Sequence, residues 1–129
     1  MPKPIQQTIT FHATPHEVYE LLMDAKKHSA FTGGKAEISR KVGGKYSAYD
    51  GYITGKNVEL IPDKKIVQTW KASDWTMFQN STITFVLLPI HEGTRLNFTH
   101  ADIPSGREAE YAQGWIDNYW EPMKKYLEK

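Results

Sequence analysis

The chain has 129 residues, no cysteine and a formal charge of +1, from 16 basic and 15 acidic side chains. This length fits one domain with its own core, and the missing cysteine excludes disulfides, thiolate zinc sites and cysteine nucleophiles. The balanced charge gives no electrostatic argument for nucleic acid binding. No apolar run approaches the roughly 20 residues of a membrane span, and no signal peptide pattern occurs, so we expect a soluble, cytoplasmic protein.

The amino-terminal part predicts a strand followed by two short helices. Residues 5–12 alternate apolar and polar side chains, as a half-buried strand does. Thr14 is a favourable N-cap, the next residue is a proline, and Glu17 can complete a capping box, so we predict a helix over 15–23. A second short helix or turn is predicted over 24–31, and it ends at a glycine pair.

The middle of the chain predicts an antiparallel meander. Six strand-length segments follow one another with short connections, which is typical of such a sheet. The segments are AEISR, KYSAY, YITGKNVELI, KIVQTWKA, STITFVLLP and TRLNFTHA. Asp50-Gly51, between the second and the third, is a two-residue hairpin signal.

The last 25 residues predict a long amphipathic helix with an aromatic stripe. Ser105 as N-cap and Glu108 three residues later form a second predicted capping box. Gly114 lies near the border of the polar side, and because a glycine inside a helix costs about 1 kcal/mol relative to alanine, we expect another backbone to approach there. Pro122 removes the bond to the carbonyl of Asn118 and is expected to kink the helix.

This order of elements predicts an α+β helix-grip fold. We expect a single domain, 1–129, in which a curved antiparallel sheet of about six to seven strands wraps around the long C-terminal helix, with two short helices after the first strand. Such a sheet and helix enclose a volume that bulky aromatic side chains either fill or line. The residues expected to line a ligand cavity are Gln68, Trp70, Phe98, His100, Trp115, Tyr119 and Met123.

His100 is the strongest single candidate for chemistry, because it shares a strand face with Leu96 and Phe98. An imidazole inside an apolar cavity could orient a ligand or transfer a proton, although a core histidine bonded to backbone or water is the favoured alternative. Trp70 is either core or cavity wall. Gln68 would be an inward polar group that needs a partner, hence a possible ligand contact.

Three further aromatic residues are candidates for a cavity lid or a partner contact, with local packing as the alternative. They are Phe31, Trp75 and Phe78.

The sequence lacks the motifs of the common catalytic sites. No glycine-rich segment completes a phosphate-binding loop, and no nucleophile elbow occurs. The five histidines are scattered. His12 and His16 are four residues apart, but they straddle the predicted boundary between strand and helix, so the geometry of a helical zinc site does not apply. We therefore predict no catalytic residue, no metal and no cofactor.

A series of short motifs runs through almost the whole chain. In order they are Thr14-Pro15-x-Glu17, Ala30-Phe31-Thr32, Gly43-Gly44-Lys45-Tyr46, Asp50-Gly51 with Gly55, Leu60-x-Pro62, Lys64 with Ile66-Val67 and Trp70, Thr82-x-Thr84, Gly93-Thr94-x-Leu96, Ile103-Pro104, and Gly114-Trp115 with Tyr119. In this order and spacing they resemble the carboxy-terminal domain of the heat-shock protein 90 ATPase activator family. That family lies within the START-like (SRPBCC) helix-grip superfamily.

The resemblance implies a helix-grip fold with a cavity. It also implies that two-domain relatives stimulate the chaperone's ATPase, with an amino-terminal domain as a major docking surface. Because the aromatic stripe is expected to face Trp70, Leu96 and Phe98, our first prediction is a non-enzymatic domain that binds a small hydrophobic or aromatic ligand. The alternative is a co-chaperone-like domain that regulates heat-shock protein 90. The third hypothesis is a cyclase-type enzyme that uses His100 or an inward tyrosine. It ranks last because no paired acid and base stand out in the sequence.

Overall fold

The computed structural model describes residues 4–75, 79–104 and 106–127. The strands are β1 (Ile5–Phe11), β2 (Glu37–Ile38), β3 (Lys45–Ala48), β4 (Ile53–Ile61), β5 (Lys65–Ala72), β6 (Ser81–Ile90) and β7 (Gly93–Ala101). Helices α1 (Pro15–Met23) and α2 (Ala25–Thr32) follow β1. The C-terminal helix consists of α3 (Glu108–Trp115), a π-helical segment (Ile116–Trp120) and α4 (Glu121–Leu127).

Local capping explains the two short helices. The Thr14 hydroxyl accepts from the Glu17 amide at 3.1 Å, and the Glu17 carboxylate accepts from the Thr14 amide at 2.9 Å. This is the predicted capping box. The Asp24 carboxylate accepts from the Lys27 amide at 3.0 Å and so begins α2. Gly33 ends α2 in the left-handed conformation, with a φ of 80°.

The strands form one antiparallel sheet in the order β1-β7-β6-β5-β4-β3-β2. Side chains alternate between the two faces, so that Ile66, Gln68 and Trp70 on β5 point to the same buried face. Ile83 lies opposite Gln68 on one side and opposite His100 on the other, which brings all three into one row. We call this buried face the inner face and the opposite one the outer face.

The C-terminal helix covers the inner face and closes the core. Its buried side chains are Trp115, Tyr119, Trp120 and Met123. These pack against the aromatic residues of the sheet, with ring centroids 4.5 Å apart between Trp115 and Phe98 and 5.0 Å between Trp120 and Phe98. The predicted helix-grip fold is therefore confirmed.

The structure accommodates Pro122 through a widened helical turn. Pro122 has no N–H to give to the carbonyl of Asn118, and the π-helical segment ends two residues before it, at Trp120. The hydroxyl of Tyr49 donates to that carbonyl instead, at 2.8 Å. The wider turn also lets the consecutive residues Tyr119 and Trp120 both be buried.

Two expectations about this helix are wrong. The N-cap is Arg107, which makes no side-chain capping bond, and the carboxylate of Glu108, the first helical residue, accepts from the amide of Gly106 at 2.7 Å. The expected cap, Ser105, itself lies outside the described residues. No backbone approaches Gly114, because a Cβ placed there would meet only the Asn118 side-chain nitrogen, at 3.8 Å. The space beside Gly114 is open instead.

The predicted turn at Asp50-Gly51 forms, because the amide of Tyr52 donates to the carbonyl of Tyr49 at 3.1 Å across these two residues, but the strand pairing ends one residue earlier on each side. The connection between β3 and β4 spans the four residues 49–52. Tyr49, Asp50 and Gly51 all have positive φ values, of 51°, 58° and 90°. The amide of Asp50 donates to the carbonyl of Lys35 at 2.9 Å, which ties the connection to the segment after α2. The longer turn places two tyrosines, Tyr49 and Tyr52, beside the C-terminal helix.

Within the described part of the chain, no helix is both long and apolar enough to cross a lipid bilayer.

Candidate functional site: an aromatic cleft beside the C-terminal helix

An open cleft of about 380 Å³ lies between α3 and the β3–β4 connection. Its size falls at the lower end of the range typical of small-molecule sites. Four tyrosines and two tryptophans dominate its walls. The lining residues are Tyr49, Tyr52, Ile53, Trp70, Glu110, Tyr111, Gly114, Trp115, Asn118 and Tyr119.

Tyr49 forms one wall in a backbone conformation that bulky residues rarely adopt. Its hydroxyl is held by the carbonyl of Asn118. Gly34 packs behind it, since a Cβ on Gly34 would lie only 3.0 Å from the Cα of Tyr49. Such strain persists only where surrounding contacts enforce it, and it is concentrated at functional positions.

The loop after β5 supports the opposite wall. Trp75 is buried and donates from its indole nitrogen to the Tyr111 hydroxyl at 2.8 Å. The guanidinium of Arg107 lies 5.0 Å from the centre of the Tyr111 ring and 3.5 Å from the carboxylate of Asp74. The Tyr52 hydroxyl donates to the same carboxylate at 3.1 Å. These contacts fix the loop against α3, so Trp75 supports the wall from behind.

Of the other two lid candidates, the structure describes one. Phe31 is buried, with its ring 5.7 Å from that of Tyr119. Phe78 lies outside the residues that the structure describes.

His100 is sealed in the core, with none of its surface exposed. The Trp115 indole donates to Nδ1 of His100 at 3.0 Å, and Nε2 lies 2.7 Å from the hydroxyl of Ser81. That hydroxyl donates its hydrogen to the carbonyl of Trp70 at 2.7 Å. Nε2 must therefore carry the imidazole proton and donate it to Ser81.

Burial without a counter-charge lowers the pKa of His100 to about 3. The ring is consequently neutral at physiological pH, and both nitrogens are occupied. Proton transfer to a ligand would require breaking the bond to Trp115 or the bond to Ser81.

His28 is a second buried histidine, which the sequence reading passed over. Its Nε2 lies 3.0 Å from the hydroxyl of Tyr119, and its Nδ1 lies 3.4 Å from the carbonyl of Leu22. Burial lowers the pKa of His28 to about 4 and raises the pKa of the Tyr119 phenol. The sequence does contain a sign that His28 is buried, because His28 and the apolar Phe31 are three residues apart and therefore lie on the same face of α2.

Gln68 is satisfied within the protein. Its side-chain amide donates to the Asn57 oxygen at 3.0 Å. The amide nitrogen of Asn57 in turn donates to the carbonyls of Ser39 and Lys41, at 2.6 Å and 3.0 Å. The polar group that was expected to meet a ligand instead anchors the segment between β2 and β3.

Three of the seven residues expected around a cavity line the cleft: Trp70, Trp115 and Tyr119. Gln68, Phe98, His100 and Met123 lie instead in the packed interior. Beneath the cleft, the space between helix and sheet narrows to about 10 Å³, room for one water at most. The aromatic residues therefore fill the centre of the grip and line only its outer end.

The cleft offers mainly ring faces. The hydroxyls of Tyr49, Tyr52, Tyr111 and Tyr119 all have partners in the protein. Glu110, the one ionisable carboxylate in the lining, is paired with Arg107 at 3.0 Å. No group of three or more potential metal ligands occurs among the described residues.

Comparisons with known proteins agree with this architecture. The sequence model of the family described as activator of Hsp90 ATPase homolog 1-like protein matches residues 12–128. The human activator of 90 kDa heat shock protein ATPase homolog 1 is 31% identical over 116 residues, 90% of this chain and 34% of that protein. A Dictyostelium discoideum homolog is 32% identical over 130 residues, 95% of this chain and 33% of that protein. The chain thus spans about a third of the length of these curated relatives.

One solved structure matches over nearly its whole length. It is described as an HSP90 activator from Plasmodium falciparum, and it superposes with a TM-score of 0.91 at 28% sequence identity. The match covers 96% of this chain and 95% of that chain.

Proposed function

Because this chain belongs to the family of activator of Hsp90 ATPase homolog 1-like proteins, we propose that it is a co-chaperone-like domain that binds heat-shock protein 90 and regulates its ATPase. The observation that carries the proposal is the match to a chain of almost equal length that is described as an HSP90 activator. A domain of this size therefore has a relative to which that activity is attributed. The proposal keeps the cytoplasmic location that we expect from the sequence.

The experiment is an ATPase assay of heat-shock protein 90 from the same organism, with and without this chain. We expect the turnover rate to rise with the concentration of the chain and to reach a plateau. Binding measured by calorimetry should saturate over the same range. No association and no rate change at micromolar concentrations would contradict the proposal.

We also propose that the chain acts by binding and not by catalysis. The buried histidines support this, because His100 and His28 are both held neutral by burial and bonded on both nitrogens. A hydrolase or cyclase would need an acid and a base that reach the substrate. Turnover of any substrate that is lost in His100→Gln would contradict this part of the proposal.

The cleft favours a second candidate function, the binding of a small apolar or aromatic ligand. Ring faces dominate its lining, and aromatic rings pack favourably against other rings through edge-to-face and offset contacts. Gly114 supports the idea, because a residue without a side chain keeps the cleft open at a cost to the helix.

A thermal-shift screen with planar aromatic compounds tests this second candidate. We expect a binding compound to raise the melting temperature of the native chain but not that of Gly114→Phe, whose side chain would occupy the cleft. Gly114→Ala is the matched control, because its single methyl group meets only the Asn118 side chain and leaves the cleft open. Equal shifts in the native chain and in Gly114→Phe would place the compound elsewhere.

A further inference from the structure

Three lysines cross the outer face of the sheet on adjacent strands. Lys45 on β3 lies directly opposite Lys56 on β4, and Lys71 on β5 is diagonal to Lys56, because it pairs with Thr54 two residues away. The alternation of burial along each strand places all three on the outer face. We call Lys45, Lys56 and Lys71 the lysine stripe.

The lysine stripe works against the stability of the isolated chain. Like charges directly opposite each other on an antiparallel pair are destabilising. Among the described residues, no carboxylate forms an ion pair with any member of the stripe. The two acidic residues on this part of the face, Glu37 and Glu59, are already paired with Lys35 and Lys65. Local conflicts of this kind are expected at functional sites.

Two exposed valines accompany the stripe. Val42 is 64% exposed and Val58 is 51% exposed. Val58 is the extra residue of a β-bulge between Asn57 and Glu59, and bulges re-aim side chains. The amide of Gly43 donates to the carbonyl of Asn57 at 2.8 Å, and the amide of Asn57 donates to the carbonyl of Gly44 at 2.9 Å, so the loop that carries Val42 lies beside the bulge. The surface is therefore both basic and apolar.

The fold holds this surface in a fixed shape. The Asn57 side chain binds the carbonyls of Ser39 and Lys41, as described above, and so anchors the loop just before Val42. At Gly44, a Cβ would lie 2.0 Å from the Ser39 hydroxyl oxygen, so this position admits only glycine without rearrangement. Preorganisation of this kind lowers the entropy that binding costs.

We propose that the lysine stripe and its two valines dock an acidic segment of a protein partner, which carries apolar side chains among its carboxylates. This inference rests on the proposed function and names the contact surface for heat-shock protein 90. Charge complementarity argues for an acidic partner. The valines, and the absence of aromatic side chains on the stripe, argue for protein over nucleic acid, whose single strands stack on aromatic rings.

The test compares two variants of equal charge. One carries Lys45→Glu, Lys56→Glu and Lys71→Glu; the control carries Lys26→Glu, Lys64→Glu and Lys125→Glu, at exposed positions elsewhere. Each changes the formal charge from +1 to −5. Binding to heat-shock protein 90 is measured by calorimetry at low and high salt. We expect the stripe variant to lose at least about tenfold in affinity and the control less than about twofold, with the salt dependence reduced only in the stripe variant.

A single substitution separates binding from folding. Lys45→Glu replaces a like-charge pair by an opposite-charge pair with Lys56, so its melting temperature should rise while its affinity falls. If the affinity stays unchanged in the stripe variant, or falls equally in the control, the inference that the lysine stripe docks the partner is wrong, while the proposed function still stands. Tighter binding of an oligonucleotide than of the chaperone also overturns it. Failure of the native chain to bind the chaperone overturns the proposed function, and this inference with it.

Discussion

Two buried histidines govern how the stability of this fold responds to pH. Both are neutral in the native state, because burial lowers the pKa of His100 to about 3 and that of His28 to about 4. In the unfolded chain each regains an ordinary pKa near 6.5. Below that pH the unfolded state binds more protons than the native state, which shifts the equilibrium toward unfolding.

The free energy of unfolding should therefore be at its full value above pH 6.5 and fall as the pH drops toward 4. The expected slope is roughly 1 kcal/mol per pH unit for each histidine. Urea unfolding at several pH values in this window measures it. His100→Gln, which lacks the titrating group, should lose about half of the slope attributed to the pair. An unchanged slope in His100→Gln would show that other groups control the acid response.

Two glycines should respond to alanine with opposite signs. At Gly55 a Cβ would lie 2.0 Å from the carbonyl oxygen of Thr69 and 2.6 Å from the Tyr46 ring, so Gly55→Ala should destabilise the fold by about 3 kcal/mol. At Gly114 nothing but the Asn118 side chain lies within 4 Å, so Gly114→Ala should stabilise the helix by about 1 kcal/mol. Denaturant unfolding of both variants checks the prediction. If both substitutions changed the free energy of unfolding in the same direction, the two backbone environments would be alike and the prediction would be wrong.

Among the secondary-structure elements, sequence patterns predicted those that depend on short-range chemistry. The Thr14 capping box, the span of α1 and the alternation along β5 and β7 appear as expected. The turn at Asp50-Gly51 also appears, but the extension of the connection to four residues was not predictable from that pair, because the connection is tied to Lys35, fifteen positions earlier. Its length is set by tertiary contacts.

The same limit applies to the candidate site. An aromatic stripe on a helix predicts contact with the sheet, and Trp70, Trp115 and Tyr119 do line the cleft. Which polar groups are free is set by partners distant in sequence: Gln68 is bonded to Asn57, and His100 to Ser81. A single strand pattern does not contain that information.

The π-helical segment and the β3–β4 connection are expected to be energetically coupled. Pro122 leaves the carbonyl of Asn118 without its helical donor, and Tyr49 supplies one. Tyr49→Phe should cost about 1 kcal/mol in the native chain. In a Pro122→Ala background the cost should be smaller, because the new backbone N–H can bond to Asn118. A double-mutant cycle in urea measures the coupling, and a coupling energy of zero would show that the two substitutions act independently.

For the molecule as a whole, the two faces of the sheet separate the two candidate functions. The cleft lies on the inner side, beside the C-terminal helix, and the lysine stripe lies on the outer face. Gly114→Phe should therefore abolish the thermal shift caused by a cleft ligand and change chaperone affinity by less than about twofold, or about 0.4 kcal/mol. The triple substitution of the lysine stripe should do the reverse. Both variants are measured in both assays, with melting curves as the control for folding. If Gly114→Phe also weakens chaperone binding, the cleft itself is part of the docking surface and the separation of the faces is wrong.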